Sequence, residues 1–270
     1  MRGMSRTSLA EVEERLAPLT ATAQAASALG DDLFGVAGVL ATQPALRRAL
    51  SDPSRPGQSR ADLATAVLAG KITAEATGLI AAVAAARWSA PGDVTDAVEQ
   101  LAVQALIAAA EHDGRLDDLE DEVFRFGRVV ASQPALRMAL TNPFVSAPAK
   151  RQLLAGLLQE KVTAEALRLI TQAAVNPLGR SLDLSLEEYA KLAARRRERL
   201  VAEVHVAAPL SDEQRGRLAA ALASAYGHQI HLNVVLDPKV AGGMTVRVGD
   251  ELIDGSVATR LAEARRKLAA

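Results

Sequence analysis

The chain has 270 residues, a formal net charge of −1, no cysteine, only 3% aromatic residues and 49% hydrophobic residues. Near-neutral charge argues against a polyanion-wrapping surface, and the missing cysteine excludes disulfides, thiolate metal sites and a cysteine nucleophile. The length corresponds to about two domains at ~100–200 residues each. Their core must be built from Ala, Leu, Val and Ile, which suits close-packed helices.

Met1 to Ala10 carries Arg2 and Arg6 but no apolar stretch of secretory type follows. Ser8-x-x-Glu11 fits a capping box and predicts a helix start there. Val36, Val39 and Leu40 keep helical spacing. Pro44 sits where a short helix begins, with Thr42 as a nearby capping candidate, and Asp52-Pro53 then breaks the chain. Thr73 suits an N-cap, with Glu75 in the first turn near the positive end of the helix dipole. Gly78–Ala86 and Leu101–Ala110 are the most apolar runs. Each falls short of the ~20 residues needed to cross a bilayer, so direct membrane insertion is not expected.

A second pass through the same pattern follows. Ala41–Leu50 (ATQPALRRAL) matches Ala131–Leu140 (ASQPALRMAL) at an offset of 90 residues, and Lys71–Ala76 matches Lys161–Ala166 at the same offset. Phe34 pairs with Phe124 and Leu63 with Leu153 without a gap. Gln43-Pro44 and Gln133-Pro134 are not explained by shared Ala/Leu composition, so the pattern reads as a duplicated helical unit. In the second copy Leu116, Leu119, Val123, Phe126 and Val130 share one helical face. Ser132 precedes Pro134, Asn142-Pro143 breaks the chain, Thr163 and Glu165 repeat the cap, and Ser185-x-x-Glu188 fits another capping box. The helix around Asp93–Glu111 lies between the copies and is placed to serve both.

After Leu200 the period changes. Val201–Val206 alternates as a half-buried strand does, and Ser211-x-x-Gln214 opens an amphipathic helix through Leu218, Leu222 and Tyr226, stopped by Gly227. Ile230, Leu232 and Val234 alternate again. Val246 and Val248 precede the turn pair Gly249-Asp250 and then Leu252-Ile253, a hairpin pattern, and Asp254-Gly255-Ser256 starts a last helix. The predicted fold is mainly α with a small α+β C-terminal domain: a duplicated antiparallel helical bundle, then a β-α-β-β-β-α domain. The expected divisions are residues 1–93, the first copy; 94–200, the second bundle; and 201–270, the C-terminal domain.

Little in the chain is arranged for chemistry. His205 and His231 fall on the polar phase of their strands, and His228-x-x-His231 has no further ligand placed near it. The carboxylates of Asp117-Asp118, Glu120-Asp121-Glu122 and Glu187-Glu188 fall on helix starts and solvent faces. No nucleophile elbow, phosphate-binding loop or dinucleotide fingerprint is present, and Gly242-Gly243 reads as a bulge or tight bend. No cofactor, metal or nucleic acid is expected. Arg195–Arg199 reads as a solvated helix end. Leu101, Ala102, Ala105, Leu106, Ala109 and Ala110 place apolar residues on more than one face, and Ala164–Val175 is similar. Such helices are either buried in the bundle or line a shallow groove for a partner helix.

The C-terminal segment resembles the signature of the F-type ATP synthase delta subunit family, the bacterial counterpart of the mitochondrial oligomycin-sensitivity-conferring protein. The matching positions are Gly243, Met244, Val246, Arg247, Gly249, Asp250, Ile253, Asp254, Gly255, Ser256, Arg260 and Leu261. The resemblance runs from about Val94 onward and includes Glu111–Leu116 and the Gln133-Pro-Ala-Leu block. The chain is longer than the family usually is, and the extra length is the first repeat copy, as in actinobacterial forms.

The resemblance implies a non-catalytic stator role on the cytoplasmic face of the bacterial plasma membrane. One partner would be the N-terminal helix of an alpha subunit, in a groove between the helix bearing Leu101, Ala105 and Ala109 and the helix bearing Ile170 and Ala174. The other would be the C-terminal ends of the stalk b subunits, held by the C-terminal domain. Charge placed at Ala105 or Ala174 is then expected to cut alpha binding and leave the fold intact. A duplicated ligand-binding module with an appended α/β domain is the reading from another class.

Overall fold

The computed structural model describes residues 3–199, 201–226, 230–237, 240, 242–249 and 251–254. Two compact units divide the chain, Met1–Ala193 and Ala194–Ala270. The first is helical: α1 (Gly3–Glu13), α2 (Leu16–Leu19), α3 (Ala23–Thr42), α4 (Pro44–Ser51), α5 (Gly57–Leu68), α6 (Ala74–Ala85), α7 (Pro91–His112), α8 (Leu116–Ser132), α9 (Pro134–Thr141), α10 (Ala147–Leu158), α11 (Ala164–Val175) and α12 (Leu182–Arg199). At the offset of 90 residues, α3 to α6 correspond to α8 to α11, and α7 corresponds both to α1–α2 before it and to α12 after it. It packs on α1, α3, α4 and α6 of the first copy and on α8 and α11 of the second. Between Val94 and Ala110 it buries residues on every side, the arrangement that its all-round apolar sequence allows.

The repeat extends to individual hydrogen bonds. Asp32 Oδ2 accepts from the backbone N–H (2.8 Å) and the hydroxyl (2.7 Å) of Thr73. Glu122 Oε2 does the same for Thr163 at 2.7 and 2.8 Å. Each threonine in turn caps its helix, accepting from the N–H of Ala76 or Ala166. Arg60 on α5 donates to Ala85 O at the end of α6, and Lys150 on α10 donates to Ala174 O at the end of α11, so both buried cations sit at a negative helix terminus. Asp52 and Asn142 close matching turns by accepting from the N–H groups of Ser54 and Phe144.

Four of the predicted caps lie elsewhere. Ser8 is inside α1 and donates to Arg87 O at 2.7 Å, because the helix starts upstream of it. Ser181, not Ser185, caps α12 by accepting from the N–H of Leu184. Thr42 and Ser132 donate back to carbonyls of the preceding helix, leaving Gln43 and Gln133 at the N-cap positions ahead of Pro44 and Pro134.

The second unit contains β1 (Val201–Val206), α13 (Asp212–Tyr226), β2 (His231–Leu236), β3 (Met244–Val248) and β4 (Glu251–Asp254). Its sheet runs β2-β1-β3-β4; β1 and β2 are parallel and the other pairs antiparallel. Ala202, Val204, Val206, Leu222, Ile230, Val246 and Val248 form the core. The predicted Ser211–Gln214 capping box is present in both directions, at 2.9 and 3.2 Å. The last predicted helix, from Gly255 onward, lies outside the described residues.

Candidate functional site

The groove expected between α7 and α11 is occupied by the chain itself. Ala26 of α3 packs with Ala108 and Ala109 of α7. A Cβ on Gly30 would fall 2.8 Å from Leu106 Cδ2 and 3.3 Å from Ala102 O, so glycine is what lets α3 approach α7 this closely. On its other side α3 follows α11. Ser27 donates to Glu165 and accepts from Arg168, Arg168 pairs with Asp31 at 3.6 Å, and Gly38 lies beside Asn176. These contacts advance together along both helices, so α3 runs parallel to α11, and it runs antiparallel to α7. Burial pushes the Asp31 carboxyl up, and the nearby Arg168 guanidinium opposes that shift.

Leu101, Ala105, Ala109, Ile170 and Ala174 are accordingly all buried inside the helical unit. A charged residue at Ala105 or Ala174 would enter a packed core, so the expectation that such a change spares the fold does not hold. The contribution of α3 is hidden from a search for uninterrupted apolar runs. Among the described helices α3 is the one long and apolar enough to cross a bilayer, with a mean hydropathy of 1.2 over an 18-residue stretch of its 20 residues. Its contacts on α7 and α11, with Asp31 and Asp32 engaged midway, account for that composition as a core helix.

A polar cluster ties α12 to α7. Glu99 is 1% exposed; Tyr189 of α12 donates to its Oε1 at 2.5 Å, and Arg180 pairs with its other oxygen. Asp96 borders the same small cleft, and burial raises its carboxyl above the usual range. Burial also pushes the Tyr189 phenol up, so it stays protonated as the donor. These groups make an ion-paired and hydrogen-bonded clamp between helices.

In the second unit the signature positions fall on the β3–β4 hairpin. Gly242 and Gly243 have φ of 118° and 79°, a tight bend into β3 that other residues rarely adopt. Gly249, at φ 56°, opens the connection to β4, where Val248 pairs with Glu251 across a two-residue loop. Val246 is buried, whereas Arg247 is exposed opposite Glu203 of β1 and Leu252 of β4. Leu252, Ile253 and Asp254 are exposed on β4. Asp250, Gly255, Ser256, Arg260 and Leu261 lie outside the described residues. His205 lies 3.3 Å from Glu203 and 3.5 Å from Asp237, and no cluster among the described residues is suited to a metal ion. The Glu120–Glu122 carboxylates are not all solvated: Glu122 is the half-buried clamp on Thr163.

Packed helix seams, capped termini and a small four-stranded sheet with an exposed hairpin edge define a mainly α protein with a small α+β unit. Residues 98–268 match the family model described as ATP synthase delta (OSCP) subunit. The chain is similar to the ATP synthase subunit delta of Streptomyces avermitilis, with 48% identity over 99% of this chain and 98% of that one. It is similar also to those of Streptomyces coelicolor (47%, covering 100% and 98%) and Thermobifida fusca (45%, covering 100% of both). The chain belongs to the ATP synthase delta (OSCP) subunit family, structural components of the peripheral stalk of ATP synthase. The match over the full length of these actinobacterial relatives includes the first repeat copy, which precedes the segment covered by the family model.

Proposed function

We propose that this chain is a non-catalytic stator subunit on the cytoplasmic face of the bacterial plasma membrane. It joins the catalytic head, through the N-terminal helix of an alpha subunit, to the C-terminal ends of the stalk's b subunits, so that proton flow stays coupled to ATP synthesis. The observation that carries this reading is the match to delta subunits over the whole chain, signature hairpin included. The separation into a helical unit and a sheet unit suits a linker with two attachment points. Helix-in-groove recognition suits the first, because the helical unit already holds α3 between α7 and α11 in that manner. Arg247, Leu252 and Ile253, exposed on the hairpin, suit the second. In this reading Leu101, Ala105, Ala109, Ile170 and Ala174 meet a head helix only if α3 moves aside.

Affinity isolation of the tagged full chain from its own membranes tests the proposal. The head proteins and the b subunits are expected to co-purify in fixed proportion, and deletion of the chain should uncouple proton flow from ATP synthesis. Isolation free of other ATP synthase proteins would overturn it.

A further inference from the structure

We infer that the outer face of α8, centred on Phe124, is an interaction surface for a short partner helix that carries a basic residue opposite Asp121. Phe124 is 59% exposed, whereas its equivalent Phe34 on α3 is 7% exposed. The stripe that bears Phe34 is Ser27, Asp31, Phe34 and Gly38, one face of α3 at helical spacing. A helix covers it. Ser27 and Asp31 meet Glu165 and Arg168 in the first two turns of α11, and Gly38 lies beside Asn176 at the C-cap of α11.

At the offset of 90 residues the same stripe on α8 is Asp117, Asp121, Phe124 and Arg128, and all four are exposed. A lone exposed phenylalanine needs no explanation, but this one has carboxylates on one side and a guanidinium on the other. Asp117 and Asp118 suit the first turn of α8 itself, whereas Asp121 and Arg128 lie beyond that turn. Asp121 pairs with Arg125 of its own helix, an exposed pair that exchanges partners at little cost.

The seat of α11 on α3 shows what such a stripe fits. The covering helix starts near the position of Ser27 and ends near that of Gly38. On α8 its positive N-terminus therefore falls at Asp117 and its negative C-terminus at Arg128, so both charges match the dipole of a parallel helix. From Asp117 to Arg128 the stripe is ~16 Å long at about 1.5 Å per residue, roughly three turns. An aliphatic side chain midway covers Phe124, and an Arg or Lys in the place of Arg168 pairs with Asp121 as Arg168 pairs with Asp31. Asp117 disfavours an acidic residue in the place of Glu165. A second copy of this chain fits badly, because α6, the equivalent of α11, sets Glu75 against Asp117 and offers Gly78 to Asp121. The occupant is a partner other than the chain itself.

The test titrates the full chain with two end-capped synthetic peptides that copy Thr163–Asn176, one of native sequence and one with Glu165→Arg. In fluorescence anisotropy the Glu165→Arg peptide is expected to bind about fivefold more tightly. Asp121→Lys and Phe124→Ser in the full chain, both at exposed positions, are each expected to weaken that binding about fivefold. Thermal unfolding should stay unchanged, and α3 amides should keep their hydrogen-exchange protection. Equal affinity of the two peptides, unchanged affinity in both variants, or no binding of either peptide would overturn the inference. So would peptide binding that strips protection from α3, which would put the peptide in the place of α11. Concentration-dependent dimers abolished by Asp121→Lys would assign the face to a second copy and overturn it too.

Discussion

Glu160 is a residue whose backbone works against its side chain. It follows α10 with φ 67°, and its equivalent after α5 is Gly70 at φ 73°. The left-handed region costs a residue with a Cβ about 1 kcal/mol or more, so Glu160→Gly is expected to stabilise the helical unit by about 0.5–1 kcal/mol. Gly70→Ala should cost a similar amount, and denaturant midpoints check both. The Thr clamps offer a graded comparison. Thr163 is fully buried and Thr73 is exposed, although each gives two hydrogen bonds to one carboxylate oxygen. Glu122→Ala should cost about 2–3 kcal/mol by stranding buried donors, and Asp32→Ala closer to about 1, since water can replace the exposed carboxylate. Equal costs in urea unfolding would mean that burial is not what sets the value of the clamp.

Helices carry the next level, and here the two copies part company. Phe34 on α3 is 7% exposed and its equivalent Phe124 on α8 is 59% exposed, because the α3 face that bears Phe34 packs against the other copy. Phe34→Ala is expected to cost about 3–5 kcal/mol, and Phe124→Ala less than about 0.5, by thermal or denaturant unfolding. Ala105→Glu belongs to the same scale. It places an unpaired carboxylate where the native side chain is fully buried, and several kcal/mol of destabilisation is expected, enough to loosen the bundle. A variant that unfolds at the wild-type temperature would contradict the packing of α7.

Much of this level was legible in the sequence. The Thr73 and Thr163 caps, the prolines at the starts of α4 and α9, the repeat offset and the β3–β4 hairpin all follow from local chemistry that needs no distant partner. What was not legible depends on such partners. Ser8 looks like a cap until Arg87 O is seen to take its hydroxyl, and Glu122 looks solvated until Thr163 is seen against it. Gly30, Gly35 and Gly38 give α3 a weak helical signature, and its role follows only from where Gly30 meets Leu106. Leu101, Ala105 and Ala109 lie on α7 and Ile170 and Ala174 on α11, helices in contact, and the α3 residues Ala26 and Gly30 that pack on α7 come from far away in the chain.

On the scale of the molecule, duplication explains both the extra length and the burial. A shared α7 lets one copy cap the apolar flank of the other, and the first copy is left with an uncovered flank of its own. The sheet unit is separate, and its hairpin presents Arg247, Leu252 and Ile253 outward. The stator reading therefore requires two partners on two units. Hydrogen exchange on the full chain tests this most directly, with two peptides added one at a time: the N-terminal helix of alpha and the C-terminal segment of b. The account expects the alpha peptide to protect amides only within Met1–Ala193 and the b peptide to protect amides only within Ala194–Ala270. Protection of the same unit by both partners, or of neither unit by either, would contradict it.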